Sequence, residues 1–532
     1  MKSIADLNLG FGDAENYRSK ANKALFNSIF VRNIYLDQLL KENTYFLIGE
    51  KGTGKTAYSV FLTNNNYSET LSQLKFLRET DYQKFVALKK EKHLQLSDYS
   101  SIWKVILLLL LTKSIKSEEL DHSPFTKKAK LNALMKAVDE YYSNAFSPEI
   151  ISVLHLIENS KLTAELISKY LKLGGEQSVS ANFQESRFQV NLLYIQNQFE
   201  KALSQLKLRS NHLLFIDGID VRPGLIPYQD YLDCVKGLAD AVWSLNHDFL
   251  SNIKDSKGRF RVILLVRPDI FNSLGLQNSA NKVRDNSVYL DWRTTYPSYR
   301  SSKIFELSDR MLSSQQDTPL ALGAAWDYYL PWKAQSTNHS REHDPSFYKF
   351  LRISYSRPRD LVTLLSIMQE EYIEKKCNEL TFPERLFDSY DFQNKYSEYL
   401  LGGIRDQLSF YYHQEDFDLF LKFFSFLKGR AEFTYDEYLN VYNNFQRYIL
   451  EKLTSNRSEI PQFVQSAESF LQFLYDTNIL CSIEELEREP FFRWCYRERS
   501  PSNISPKVLL SSKYRVHYGL FKALNLGFQK MK

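Results

Sequence analysis

The chain has 532 residues, room for about three domains at ~150 residues each. Apolar residues make up 43% and aromatic ones 14%, so it can build large cores, and extended disorder is excluded. The net charge of +5 is too small to mark a nucleic-acid binder by bulk charge. The four scattered cysteines form no CxxC pair, which argues against a zinc site or disulfide framework and for a reducing cytoplasm.

The first residues, "MKSIADLNLGFGDAENY", lack the apolar core of a signal peptide. The stretch "TYFLI" (Thr44–Ile48) is β-branched and aromatic and predicts a buried parallel strand. It runs into Gly49, Glu50, Lys51, Gly52, Thr53, Gly54, Lys55 and Thr56, a full match to G-x-x-x-x-G-K-[ST]. Glycines let backbone N–H groups converge on phosphate oxygens. Lys55 can reach the β- and γ-phosphates, and the Thr56 hydroxyl can ligate Mg²⁺. "TAYSVFL", from Thr56 through Ala57, predicts a helix whose positive end faces the anion. A glycine turn without function would not need this strand–loop–helix order.

A further strand is predicted near Gln83–Lys90. The run "VILLLLL" (Val105–Leu111) is flanked by Lys104 and Lys113. It is far short of the ~20 residues of a membrane span and predicts a buried helix, with no membrane association. The segment of about 114–208 carries apolar residues at helical spacing, as in "KLNALMKAVDEYY" and "FQVNLLYIQNQFEKALSQL". It predicts a helical insertion, which either packs on the core or forms a partner surface.

"HLLFIDGID" (His212–Asp220) drives four apolar residues into Asp217. A buried strand that delivers one carboxylate beside a phosphate loop is a Mg²⁺-binding pattern. The next residue is Gly218 rather than a glutamate, so Asp220 is either the general base or a turn-stabilising side chain. "RFRVILLVRPDIF" (Arg259–Phe271) contains a strand ending at Arg267, and "NSVYLDW" (Asn286–Trp292) another. Five strands separated by helices predict a doubly wound α/β sheet, with ligands beyond the strands' carboxyl ends. "NHSREHDPS", with His339, His343 and Asp344, reads as a loop rather than a metal site.

The set "GEKGTGKT", "FIDGID", "ILLVRPDIF" and "SRPRDLVTLL" resembles AAA+ ATPases of the origin-recognition-like and STAND (NACHT-like) groups, many of them bacterial and encoded beside antiphage defence genes. The resemblance covers about residues 10–375. It implies a P-loop AAA+-like ATPase core over 1–300, a helical lid over 301–382 and a winged-helix-like domain over 383–532. It also implies ATP as the nucleotide. Arg267 falls at sensor 1, Arg357 or Arg359 at sensor 2, and Arg284 at an arginine finger that would serve a neighbour in a homo-oligomer. The function implied is an ATP-hydrolysing switch controlling a separate effector in antiphage defence. The alternatives are a DNA-binding loader of origin-recognition type and a nucleotide-binding scaffold without turnover.

Beyond Phe382 come three aromatic-rich helices, then extended pieces that predict a two-stranded ribbon. Residues 461–480 contain no Lys or Arg, which is poor for reading DNA. From Pro490 onward Arg493, Arg497, Arg499, Lys507, Lys513, Arg515, Lys522, Lys530 and Lys532 face one acid, Glu498. Such a tail either contacts a DNA or RNA backbone or is a solvated charge run.

Overall fold

A computed structural model of the chain describes residues 1–77, 96–144, 185–223, 226–335, 343–412, 414–456, 461–485 and 490–528. They form two compact units. One comprises residues 34–48 and 58–288, the other residues 1–33, 49–57 and 289–532.

The first unit is built on a parallel sheet of β1 (Phe46–Ile48), β2 (Thr70–Phe76), β3 (Asn211–Asp217), β4 (Phe260–Val266) and β5 (Ser287–Tyr289), in the order β2-β3-β4-β1-β5. Every residue of β1 and β4 is buried. A strand covered on both faces has no polar side to present, which is why these strands are mostly apolar; the exception, Arg261 of β4, donates from Nη2 to the Leu40 carbonyl at 2.8 Å. Register is fixed by Phe46 beside Leu264 and Phe215 beside Ile263. One edge strand is Thr70–Phe76, which the sequence did not announce. Its residues beyond Thr70 are mostly half-buried, and its polar alternation hides it from a search for apolar runs. The strand expected near Gln83–Lys90 lies outside the described residues.

The helix Leu96–Lys113 carries the "VILLLLL" run, in which Leu107, Leu108, Leu109 and Leu111 are buried and Leu110 is half-buried. The Trp103 indole N–H donates to the Cys234 carbonyl at 3.1 Å and fixes this helix to Tyr228–Ser244. Within the insertion, Pro124–Asn144 and Glu185–Ser204 are helices as the spacing predicts. Residues 145–184 lie outside the description. Among the described residues no helix is long and apolar enough to cross a membrane.

The second unit contains the helices Lys303–Ser313, Ser346–Ile353, Pro358–Glu374 and Tyr390–Leu408. A hairpin of β6 (Lys333–Gln335) and β7 (His343–Pro345) replaces part of the loop expected around His343 and Asp344. No cluster of three metal-ligating side chains occurs among the described residues.

The C-terminal segment runs helix Gln414–Ser425, β8 (Glu432–Thr434), helix Tyr435–Asn456, helix Ala467–Asp476, β9 (Leu480–Glu484), β10 (Phe491–Arg493) and β11 (Lys513–Val516). Phenylalanines explain its compact core: the Phe423 and Phe470 ring centroids lie 4.8 Å apart edge-to-face, and Phe445 stacks on Phe470 at 5.6 Å. The expected two-stranded ribbon does not form. The sheet order is β10-β9-β11-β8 and antiparallel, so β10 and β11 flank β9 instead of pairing with each other.

Candidate nucleotide-binding site

β1 ends at Ile48, the glycine loop follows, and a helix begins at Lys55. Gly52 has φ +87°, and a Cβ there would stand 3.1 Å from Arg359 Cβ. Only glycine meets both demands. Lys55 is buried, and its Nζ donates to the Gly49 carbonyl at 2.8 Å. Thr53 Oγ1 donates to the Glu50 carbonyl at 2.8 Å, which tightens the turn. Thr56 and Ala57 lie half-buried in the helix's first turn.

The residues between Gly49 and Gly54 are each held by a group distant in sequence. Glu50 pairs with Arg499. Lys51 pairs with Asp406, and its carbonyl accepts from Arg357 Nη1 at 3.0 Å. The Gly52 carbonyl accepts the Arg359 backbone N–H at 3.2 Å. The Thr53 carbonyl accepts the Trp292 indole N–H at 2.8 Å. Trp292, Arg499 and Asp406 escaped the sequence reading because no local pattern links them to the loop. Glu50, Thr53, Trp292, Tyr355, Arg357 and Arg499 line a small cleft beside it.

The two candidate sensor arginines of this unit have different environments. The Arg357 guanidinium makes a two-point contact with Asp360, from Nε at 3.0 Å and Nη2 at 2.9 Å, in addition to its bond to the loop. Asp360 is fully buried and also accepts from the Tyr399 hydroxyl at 3.1 Å. Arg357 is thus a strut under the loop. Arg359 spends only Nε, on the Gly12 carbonyl at 2.8 Å, and no carboxylate pairs with it among the described residues. It is the candidate for a phosphate contact.

His517 is packed near this strut, with its ring centroid 4.4 Å from that of Tyr355. Its Nδ1 accepts the Gly519 N–H at 3.2 Å. Burial, with Arg497 and Arg357 nearby, pushes its pKa down to about 3 from 6.5. The folded protein therefore keeps His517 neutral, while the unfolded chain takes up a proton below pH 6.5. Its contribution is fully present above that pH and falls by about 1.4 kcal/mol per pH unit as pH drops from 6.5 toward 3. In His517→Asn, the acid limb of a plot of melting temperature against pH should be shallower than in wild type.

In the other unit Asp217 ends β3. It is buried, and its Oδ1 accepts the Gly218 N–H at 2.8 Å. Gly218 has φ +97°, and a Cβ there would lie 2.4 Å from the Leu77 carbonyl oxygen. The Leu77 N–H donates to the Asp217 carbonyl at 2.8 Å, so this close approach is anchored. The absent glutamate now has a physical reason: no side chain fits at this position in this backbone. Gly218→Ala should destabilise the fold by roughly 2–3 kcal/mol in denaturant titrations. Asp220 lies half-buried in the turn that follows.

Arg267 follows β4 and is almost fully buried. It is held by Asp269 through Nε at 3.0 Å and Nη2 at 2.6 Å. Arg284 is exposed on the helix Ser279–Asn286 and pairs with its neighbour Asp285.

Several cations of the basic C-terminal segment are paired within the chain. Arg493 pairs with Glu484 and Glu498, Lys513 with Glu485, Arg515 with Glu432, and Arg499 with Glu50. Lys522 lies over the Tyr390 ring. Counting charge along the sequence missed carboxylates brought in from other elements. Lys530 and Lys532 lie outside the described residues.

Comparison with protein families, curated proteins and solved structures finds no match to this chain.

Proposed function

We propose that the chain is an ATP-binding and ATP-hydrolysing switch of the AAA+/STAND kind. The observation that carries this reading is the loop Gly49–Thr56: a glycine-rich turn between a buried strand and a helix N-terminus, with Lys55 and Thr56 in the first helical turn. The backbone supports this reading. Gly52 and Gly54 both have positive φ, and the full spacing is the one that turns N–H groups toward an anion. Asp217 and Thr56 are hard oxygen donors suited to Mg²⁺. The ion would neutralise phosphate charge. Lys55 would orient the terminal phosphates, and Arg359 would lie over the loop at Gly52.

The parallel sheet, with β4 between β1 and β3, is compatible with a P-loop core. The helices of residues 303–374 supply candidates for a lid. The order helix, β8, two helices, β9, β11 supports a winged-helix-like module. Control of a separate effector in antiphage defence and a homo-oligomer using Arg284 rest on the sequence resemblance, and a cytoplasmic setting rests on the scattered, unpaired cysteines. The DNA-loader reading gains no favour, because the charges it would use are paired within the chain.

Turnover is the discriminating experiment. Asp217→Asn should lower Mg²⁺-dependent ATP hydrolysis about a hundredfold or more, since it removes a charged metal ligand. Asp220→Ala should lower kcat with little change in KM if Asp220 is the base. Unchanged turnover in Asp220→Ala removes it from that role, and no turnover in wild type leaves the scaffold reading.

A further inference from the structure

We propose that Trp292 is a positioning residue of the phosphate loop. Its indole N–H holds the peptide unit that joins Thr53 to Gly54, so that the Gly54 N–H is preset toward the phosphate chain of a bound polyphosphate. The inference rests on the nucleotide reading above and deepens it.

A trans peptide is planar, so its carbonyl and its N–H point opposite ways. A carbonyl fixed on one side of a turn therefore fixes the next residue's N–H on the other. Three consecutive carbonyls of this loop are fixed by donors from outside it. The Lys51 carbonyl accepts from Arg357 Nη1 at 3.0 Å, the Gly52 carbonyl from the Arg359 backbone N–H at 3.2 Å, and the Thr53 carbonyl from Trp292 Nε1 at 2.8 Å. The N–H groups of the same three peptide units belong to Gly52, Thr53 and Gly54. The Thr53 N–H turns back to the Glu50 carbonyl at 3.2 Å and closes the turn. The Gly52 and Gly54 N–H groups find no acceptor among the described residues. Both glycines have positive φ, +87° and +95°, and such backbone gathers N–H groups into an anion-binding concavity.

Trp292 is well placed for this task. The chain leading to it runs beside the loop: a Cβ on Gly49 would lie 3.2 Å from Leu290 Cβ. Asp291, between Leu290 and Trp292, turns to Arg293 instead. Trp292 is 8% exposed, so water competes little for its N–H. Arg357 also braces the buried Asp360, and its loss disturbs the fold. Trp292 gives the loop one neutral hydrogen bond, and phenylalanine removes that donor while keeping an aromatic ring.

A cradle whose N–H groups already point at the ligand loses less binding free energy to ordering. An anion on the Gly54 N–H also polarises its peptide unit and makes the Thr53 carbonyl a better acceptor. The phosphate contact and the indole contact thus strengthen each other. The group recognised through this device is the phosphate chain rather than the base.

The test is isothermal titration of full-length wild type and Trp292→Phe with MgATP and with inorganic tripolyphosphate in Mg²⁺, beside melting curves of the ligand-free proteins. Trp292→Phe should still melt cooperatively and should bind both ligands more weakly by the same factor, about fivefold to tenfold. A second measurement leaves Trp292 in place. In wild type carrying 5-fluorotryptophan, the fluorine signal of Trp292, one of six, is assigned by elimination from single Phe variants of the other five. It should shift on saturation with tripolyphosphate. Equal affinities in Trp292→Phe, a loss for ATP without a loss for tripolyphosphate, or an unmoved Trp292 signal overturns this role and leaves the nucleotide site standing. Wild type that binds neither ligand removes the nucleotide reading and this inference together.

Discussion

Lys55→Ala is expected to abolish ATP binding, weakening it by about a hundredfold or more. Lys55 is the cation of the loop and sits at its helix junction, buried among the loop's own carbonyls. Removing one side of a desolvated charge contact costs roughly 2–5 kcal/mol, which spans about 30-fold to several thousandfold in affinity. The fold should survive, because the bonds from Nζ to Gly49 and Glu50 are local to the turn. A fluorescent ATP analogue titrated into both proteins, with melting curves for each, checks the two halves of the statement. Equal affinity in the variant would mean that the loop does not hold the phosphates.

The second large effect separates two neighbouring arginines. Arg357→Ala strips the partner from Asp360, a carboxylate with no exposed surface. Breaking a buried pair from one side costs about 3–5 kcal/mol. The Tyr399 hydroxyl and the Tyr355 N–H still reach Asp360, but neither carries charge. The Lys51 carbonyl loses a donor in the same substitution. The expected result is a protein that melts well below wild type. Arg359→Ala removes a half-buried side chain with no carboxylate partner among the described residues. It should melt near the wild-type temperature and lose nucleotide affinity or turnover about tenfold, the scale of one charge-assisted contact. The reverse pattern, with Arg357 tolerated and Arg359 essential for folding, would invert the assignment of strut and sensor. Melting curves and ATP titrations on the two variants decide it.

The strand–glycine loop–helix order was legible in the sequence because it is local. Eight consecutive residues carry the glycines, the cation and the hydroxyl, and the flanking strand and helix show in their own residues. β3 and β4 were legible for a related reason, since burial on both faces leaves apolar runs in them, residues 213–216 and 262–266. The edge strand Thr70–Phe76 escaped because an edge strand need not be apolar, and Ser72, Gln73 and Lys75 break its pattern. The charge balance of the C-terminal segment escaped because its partners are remote: Glu432 lies 83 residues from Arg515, and Glu50 lies 449 from Arg499. Charge summed along a sequence counts residues, whereas charge on a surface depends on pairing. Gly218 lay between these cases. Its identity was plain, but its reason, the Leu77 backbone where a Cβ would stand, is a tertiary contact.

One nucleoside triphosphate is expected to bind in the loop Gly49–Thr56. Isothermal titration of the full-length wild-type protein with ATP in the presence of Mg²⁺ tests it most directly. Saturable binding at one site per chain is expected, with a dissociation constant in the micromolar range, on the order of −8 kcal/mol. No heat of binding up to millimolar ATP, with the protein folded, would contradict it.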